Sequence, residues 1–545
     1  MTVNPTDRLR QRLASHWKTL LAVLLALVAA SLLLALVSSR FREIQGWASF
    51  LGALLLAAGM LFGAWWLVKG ESPPRWLWRL LIAAVALRLL AGAVWYVAAP
   101  VWGHGTQAER GGYIMADASK RDQAAWKLGS SHRHLWAAFF SFRAADQYGG
   151  LLFLSALVYR TLGGQVHQPL LVVVFTAAFS SLAVLFTWAF ARRLWDAQTA
   201  CLAAWILALY PEAVLLGSTQ MREAFTVTLA AMAFHGLLKY RDQRTWRSLA
   251  WIFIPLLFFL PFSPPFTGLL IGMLALVALT TWGKRRSDRR RQRWFWLALA
   301  GLVVLVLLGL WLTLSQLAPE GITNPLAVLG WWARKSAELQ AYASQHASGW
   351  LQHIFEITPG WAHFPILIAY GVVQPFLPAA IIVGSHAPLY PRLTLWRSVG
   401  WSAVLALLVY APWLAARLKK DAAFARVLSL VVWAGILIAA YRGGADMWDN
   451  PRYRATFASL QIALAAWAWV QHRRLADPGL RRLLVGLGLV MLWFLPWYIR
   501  RYTALTWIVV DLFKTIGLGL ASAFLFTLWD WARRPDLPRA PDPER

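Results

Sequence analysis

Apolar runs of roughly 20 residues follow one another along most of this chain, separated by short polar stretches rich in Lys and Arg. A helix needs about 20 predominantly apolar residues to cross the hydrocarbon of a bilayer. The runs are continuous in Leu, Ala, Val and Trp rather than alternating, so they predict helices and not barrel strands. Predicted spans cover about 20–38, 47–68, 76–99, 169–190, 198–216, 221–238, 248–262, 266–282, 294–316, 398–416, 425–441, 454–471, 483–498 and 503–529. The expected fold class is therefore an all-α polytopic membrane protein with about 14 transmembrane helices (12–16), plus interfacial or re-entrant helices.

The basic residues orient these spans. Arg8, Arg10, Arg12 and Lys18 precede the first; Lys69, Arg75 and Arg79, then Arg192 and Arg193, then Lys239, Arg241, Arg244 and Arg247 follow at alternate turns. The run 283–293, RLKK at 417–420, QHRR at 471–474, Arg481, Arg482 and the tail after Trp531 complete the set. All fall on one side if the spans alternate, and the positive-inside rule makes that side cytoplasmic, with both termini. The expected location is the plasma membrane. Two apolar segments break the alternation. Residues 149–164 are too short to span and carry Arg160, so they predict an interfacial helix. The piece around 365–391, interrupted by Pro375 and Pro378, predicts a re-entrant or interfacial segment lining protein or a cavity.

Composition agrees with this layout. The 545 residues are 59% hydrophobic and 14% charged. The net charge of +29 sits in the loops, as topology requires, so nucleic acid is not an expected partner; some of it suits anionic lipid headgroups. The one cysteine, Cys201, lies in an apolar run, which rules out a disulfide framework or a thiolate metal site. The first apolar run follows a basic N-terminus, but it is long and without a cleavage pattern, unlike a removable signal. No P-loop, dinucleotide glycine motif, H-E-x-x-H or G-x-S-x-G is found.

Polar chemistry concentrates in the stretches predicted to face outside: 100–148, the turn at 211–223, 317–363 and 441–453. In the first, Asp117 and Asp122 stand five apart with Arg121 between them. A carboxylate there can take a proton from a hydroxyl or help hold a divalent metal; a solvated Asp–Arg pair is the structural alternative. Glu223 opens a span next to Arg222, where it serves the helix dipole or an outer cavity. Arg442, Arg452 and Arg454 run against the positive-inside trend, with Tyr453 among them. An anionic phosphate accounts for such arginines, as does pairing with Asp446 and Asp449. His132 and His134, two apart, do not share a helix face. His346, His353 and His363 have no metal-ligand spacing. Arg88, inside a span, reads as a structurally paired residue facing the bundle interior, and Asp511 and Lys514, three apart in the last apolar run, as a pair neutralising one another on one helix face.

The order of these features resembles a known family. ADASKRDQAAWKLG, QYGGLLFLSALVYRTLGG, LFTWAFARRLWDAQTACLAAWILALYP and GSTQMREAF, together spanning about 113–240, are similar to the GT-C superfamily of polyprenyl-phosphate-sugar-dependent glycosyltransferases. The protein O-mannosyltransferase and lipid A aminoarabinose transferase type (family 39) is the nearest in layout. The resemblance implies a GT-C-like fold and an enzyme moving a sugar from a polyprenyl-phosphate donor to a hydroxyl of a lipid, glycan or protein acceptor. Asp117 would be the catalytic carboxylate, with Asp122 as its rival. Arg121, Arg222, Glu223, Arg452, Tyr453 and Arg454 would bind substrate, and a divalent cation (Mg or Mn) would sit at Asp117 and Glu223. Many relatives carry Asp-Glu where this chain has Asp117–Ala118, which weakens the metal expectation. The expected division is 1–75 (tail and two extra spans), 76–316 (catalytic core, with the loop 100–148), 317–397 (outer loop and re-entrant segment), 398–530 (C-terminal spans) and 531–545 (disordered tail). Two other classes compete: a transporter or flippase of an anionic lipid-linked saccharide, and a non-catalytic envelope-assembly relative.

Overall fold

The computed structural model describes residues 5–281, 289–319, 322, 324–345, 349–418, 422–443, 448–503 and 511–533. The runs 283–288 and 419–421, with Asp446, His346 and the tail from 534, lie outside the described residues. Every regular element described is a helix. The first three are long: α1 (Pro5–Ser38), α2 (Trp47–Val68) and α3 (Arg75–Trp102). The first polar loop holds α4 (Gln107–Arg110), α5 (Ala116–Gly129) and α6 (Gly150–Leu162). The central bundle follows as α7 (Leu170–Leu194), α8 (Ala197–Leu209), α9 (Pro211–Gly217), α10 (Glu223–Gln243), α11 (Trp246–Phe259), α12 (Pro264–Thr281) and α13 (Arg289–Leu317). Then come α14 (Pro325–Gln345), α15 (Gly349–Ile357), α16 (Gly360–Val373) and α17 (Leu377–Ile382). The chain closes with α18 (Leu389–Arg417), α19 (Ala423–Arg442), α20 (Arg452–Ala455), α21 (Ala458–Leu475), α22 (Gly479–Tyr502) and α23 (Leu512–Arg533).

Among the described residues, nine helices are long and apolar enough to cross a membrane, or ten if α8 and α9, bent by 54° at Pro211, form one span. This is a multi-span membrane protein. The other predicted spans fall on α10, α11, α12 and α21. Helices α10 and α21 are enclosed by protein along most of their length, so Thr226, Thr228 and His235 of α10 and Ser459 and Gln461 of α21 face other helices and high hydropathy is not required. Helices α11 and α12 are shortened by the break at Pro261–Pro264. The last predicted span shifts: α23 starts at Leu512, and Asp511 precedes it, accepting the Phe513 backbone N–H at 2.8 Å. Asp511 is thus an exposed helix cap.

Two faces emerge from the contacts. On one, Arg193 bonds Glu71 and Asp242, Arg474 bonds Asp196, Arg417 bonds Asp477, and Arg482 bonds Asp530. These are the helix ends that carry the basic loops. On the other, the Gln168 amide donates to Gln45 O and Tyr96 Oη donates to Ser38 O, joining the α1–α2 and α6–α7 connections to the end of α3. All four predicted outer stretches contribute helices to this second face.

Arg88 corrects an expectation. It is fully buried in α3, as predicted, but bonds only carbonyls, Ala84 O and Ala208 O. The carbonyl it reaches in α8 lies one turn before the Pro211 break, where the helix ladder is interrupted. Among the described residues its Nε and Nη2 have no hydrogen-bond partner.

Candidate functional site

Helix α5 carries the first candidates. Its buried positions, including Ala118, Arg121, Asp122, Ala125 and Leu128, recur at helical spacing and pack on α6. The close approach is at Gly129, where a Cβ would stand 2.9 Å from Ala156 O. That spacing sends the two aspartates to opposite sides. Asp122 is fully buried, accepting hydrogen bonds from Tyr113 Oη (2.5 Å) and Tyr159 Oη (2.6 Å), with His167 Nε2 at 2.8 Å. It holds the outer loop together and lines neither large cavity. Burial, followed by the charge of Asp122, pushes the Tyr113 phenol far above its ordinary value, so it remains a donor.

Asp117, in the first turn of α5, is 46% exposed at its side chain. Its Oδ2 accepts from Arg452 Nη2 at 2.8 Å, across 335 residues of sequence. Burial alone acts to raise this carboxyl. Arg452 outweighs it, with Arg121 and Arg222 adding, and the group is held below its usual value. Arg452 also lies 3.1 Å from Asp449 Oδ2 and donates to Tyr453 Oη. Burial opposes its charge, but Glu223, Tyr453, Asp449 and Asp117 together raise its pKa and keep it cationic. Among the described residues its Nε and Nη1 have no hydrogen-bond partner, and neither does Glu223 Oε2.

Two cavities flank this charged group. The larger, about 650 Å³, is lined by Asp117, Asp449 and Glu109, by His104, Tyr390 and Trp448, and by residues of the broken α16–α17 segment. The smaller, about 440 Å³, is lined by Arg222, Glu223, Arg442, Tyr148 and Tyr453, with Phe266, Leu269 and Ile438 as an apolar wall. Arg222 stacks over Tyr148 at 5.2 Å and Arg442 over Tyr453 at 5.7 Å. Asp117, Arg222, Glu223, Arg452 and Tyr453 therefore gather, as the outer-face reading requires. Trp448 meets Tyr390 (5.0 Å between rings), which bonds Glu109 Oε1 at 2.5 Å, so the first loop and the 448–454 turn share one face.

Arg121 and Arg454 do not join them. Arg121 is buried behind α5, bonding Gln220 O at 3.2 Å with Asp146 at 3.7 Å. Arg454 is buried under Trp401 (3.7 Å to the ring centre), donating to the carbonyls of Gly371 and Gln374. It thus caps the break between α16 and α17, where backbone acceptors lose their helical partners. His132 is exposed, and His363 bonds Phe355 O and Thr358 O.

Asp117 and Glu223, expected to hold a divalent cation, stand beside guanidinium groups. One Asp117 oxygen is taken by Arg452, and the space towards Glu223 is shared with the cations of Arg452 and Arg222. Hard cations need several oxygen ligands, and no group of three or more His, Cys, Asp or Glu among the described residues could hold one.

Sequence reading missed Glu109, Tyr390 and the Glu212–Arg397 pair. Glu109 completes a capping box with Thr106, and that T-x-x-E pattern reads as helix capping alone. Arg397 Nε and Nη2 grip both oxygens of Glu212 at 2.8 and 2.9 Å, and Nη1 donates to Trp448 O. No local pattern couples residues 185 apart.

No family model matches the sequence, and no curated protein matches it. In structure the chain is similar to the archaeal oligosaccharyltransferase AglB from Archaeoglobus fulgidus, solved in complex with an inhibitory peptide and a dolichol-phosphate. That match has a TM-score of 0.42 and 14% identity, covering 86% of this chain and 60% of that one. It is also similar to the apo form of the Archaeoglobus fulgidus oligosaccharyltransferase, with a TM-score of 0.41 and 15% identity, covering 85% and 59%. The chain thus spans about three fifths of the length of the solved structures it matches.

Proposed function

We propose that this chain is an inverting glycosyltransferase of the GT-C type, moving a sugar from a polyprenyl-phosphate donor to an acceptor hydroxyl on the outer face of the plasma membrane. The observation that carries the reading is the Asp117 carboxylate, half-exposed on a cavity wall and kept ionised by Arg452. The acceptor oxygen attacks the anomeric carbon and forms the new C–O bond. The bond from that carbon to the phosphate oxygen breaks, its electron pair leaves with the lipid phosphate, and the hydroxyl proton passes to Asp117. A carboxylate held this low is a weak base. It suits a late proton transfer in which orienting the hydroxyl matters as much as accepting the proton.

Arg222 and Arg442 suit the leaving phosphate, since their guanidinium groups line the smaller cavity beside its apolar wall. That combination of cations and apolar surface fits a phosphate attached to an isoprenoid chain. Glu223 and Tyr453 would orient Arg222, Arg442 and Arg452 between the two chambers. Asp117→Asn is expected to lower transfer of sugar from a polyprenyl-phosphate donor by about 10²–10⁴-fold, the usual worth of a general base. Unchanged expression and thermal melting would show that the fold is intact. Transfer at the parental rate would remove Asp117 from the chemistry.

A further inference from the structure

We infer that the larger cavity is the acceptor chamber and that it selects a saccharide free of anionic groups, uncharged or amino-substituted. This rests on the transferase reading for which chamber receives which substrate; the charge preference rests on the cavity itself.

The two chambers differ in charge. Among the described residues that line the larger one, three carboxylates, Glu109, Asp117 and Asp449, stand against a single cation, Arg397. In the smaller, Glu223 faces Arg222 and Arg442. The cations beside the larger chamber are already engaged: Arg501 lies over the Trp497 and Tyr502 rings, 5.6 and 6.0 Å from their centres. Arg397 is consumed by its two-point pair with Glu212, and Arg452 is divided among Asp117, Asp449 and Glu223. Burial works against the Glu109 charge, but hydrogen bonds from Tyr390 and Thr106 hold its carboxyl below the ordinary value, so it is ionised at neutral pH. A phosphate or carboxylate entering this chamber meets like charge, which disfavours its binding.

The walls argue for a sugar. His104 stacks on Tyr390 with ring centres 4.7 Å apart, and Tyr390 meets Trp448 edge-on at 5.0 Å. These rings form a continuous wall between Glu109 and Asp449. On the far side Tyr498 and Tyr502 lie nearly parallel at 6.0 Å. Ring faces carry negative potential and attract polarised C–H and N–H groups. Carboxylates beside such rings accept hydroxyl and amino donors, the polar groups that a non-anionic sugar presents. A volume of about 650 Å³ lies in the range for small ligands, enough for a short saccharide. An extended peptide would need main-chain partners along its length, and the described lining comes from helices and turns with no strand edge.

The test uses the full-length protein in lipid nanodiscs, titrated without donor so that no turnover is needed. The probes are three disaccharides of one size, uncharged, amino-substituted and uronate-bearing, and an uncharged Ser/Thr hexapeptide; the readout is calorimetric. The first two saccharides are expected to bind at least about tenfold tighter than the uronate, because only the uronate meets like charge. In Asp449→Asn, or in Glu109→Gln if the first variant folds poorly, the gap is expected to shrink to about threefold as that repulsion falls. Equal or tighter binding of the uronate, binding of the peptide alone, or no saccharide binding overturns the inference. Asp117→Asn separates the two readings: it is expected to bind the saccharides and fail in transfer. If it transfers normally, the assignment of the base falls while the measured charge preference stands.

Discussion

Asp117 and Asp122 sit one and a half turns apart on α5 yet live in opposite environments, and that difference is testable. Asp122 is fully buried with two tyrosine hydroxyls and His167 upon it. Asp122→Ala would take the acceptor from both tyrosine hydroxyls, leaving Tyr159 its contact with His167, and is expected to cost on the order of 2–4 kcal/mol of stability. Thermal melting in detergent checks this, with transfer per folded molecule largely retained. For Asp117 the expected signature is in pH dependence. Its carboxyl is held below the usual Asp value, so the ionised base persists as pH falls and is lost only through that depressed value. Arg452→Gln removes the attraction and leaves burial, which raises the pKa, so the acid limb of kcat/KM should move to higher pH. Arg452→Lys keeps a positive charge and should hold the limb nearer its original place. An unmoved limb in the Gln variant would mean that Asp117 is not the titrating group. The special character of these aspartates was legible in their density within an otherwise apolar chain. Which one faces the cavity was not, because it depends on the face that α5 presents to α6.

The decisive element is the bend between α8 and α9. Pro211 cannot continue the α8 ladder, and Glu212 at the start of α9 is thereby aimed at Arg397 in α18. Both side chains are almost wholly buried. Removing one partner from such a pair strands the other charge, so Glu212→Gln is expected to cost about 3–5 kcal/mol. A smaller loss in the double variant Glu212→Gln/Arg397→Leu than in the single one, read by thermal melting, would identify the stranded charge as the cause. The same variant should weaken activity, because Arg397 Nη1 anchors Trp448 O beside the larger cavity. In the sequence the PE dipeptide reads as the close of a predicted span, in the turn at 211–223. Its tertiary role depends on an arginine far along the chain.

For the whole molecule, the two-faced arrangement predicts accessibility. With Cys201 replaced by Ser, single cysteines at exposed His132 and Ser385 should react with a membrane-impermeant maleimide from one side, and one at exposed Gln243 from the other. Intact cells and inverted vesicles distinguish the sides. Labelling of His132→Cys and Gln243→Cys from the same side would contradict the topology. Among the described residues the predicted apolar runs fall largely on helices, because hydrocarbon imposes a length and a composition on whatever crosses it, and both are local properties. Segments buried within protein escape that constraint, which is why α10 and α21 fall short in hydropathy while packing at the centre.

Local chemistry along the chain was enough to establish the class, the helical segments and the outer stretches where ionisable groups collect, since desolvating a charge in lipid is costly wherever it occurs. The pairing of those groups was settled only by packing. Arg452 meets Asp117 across 335 residues, while Arg454, two positions on, turns inward to cap a broken helix. About half a helical turn separates a residue beside the cavities from a structural clamp, and which way each side chain faces is set by neighbouring helices that no short stretch of sequence contains.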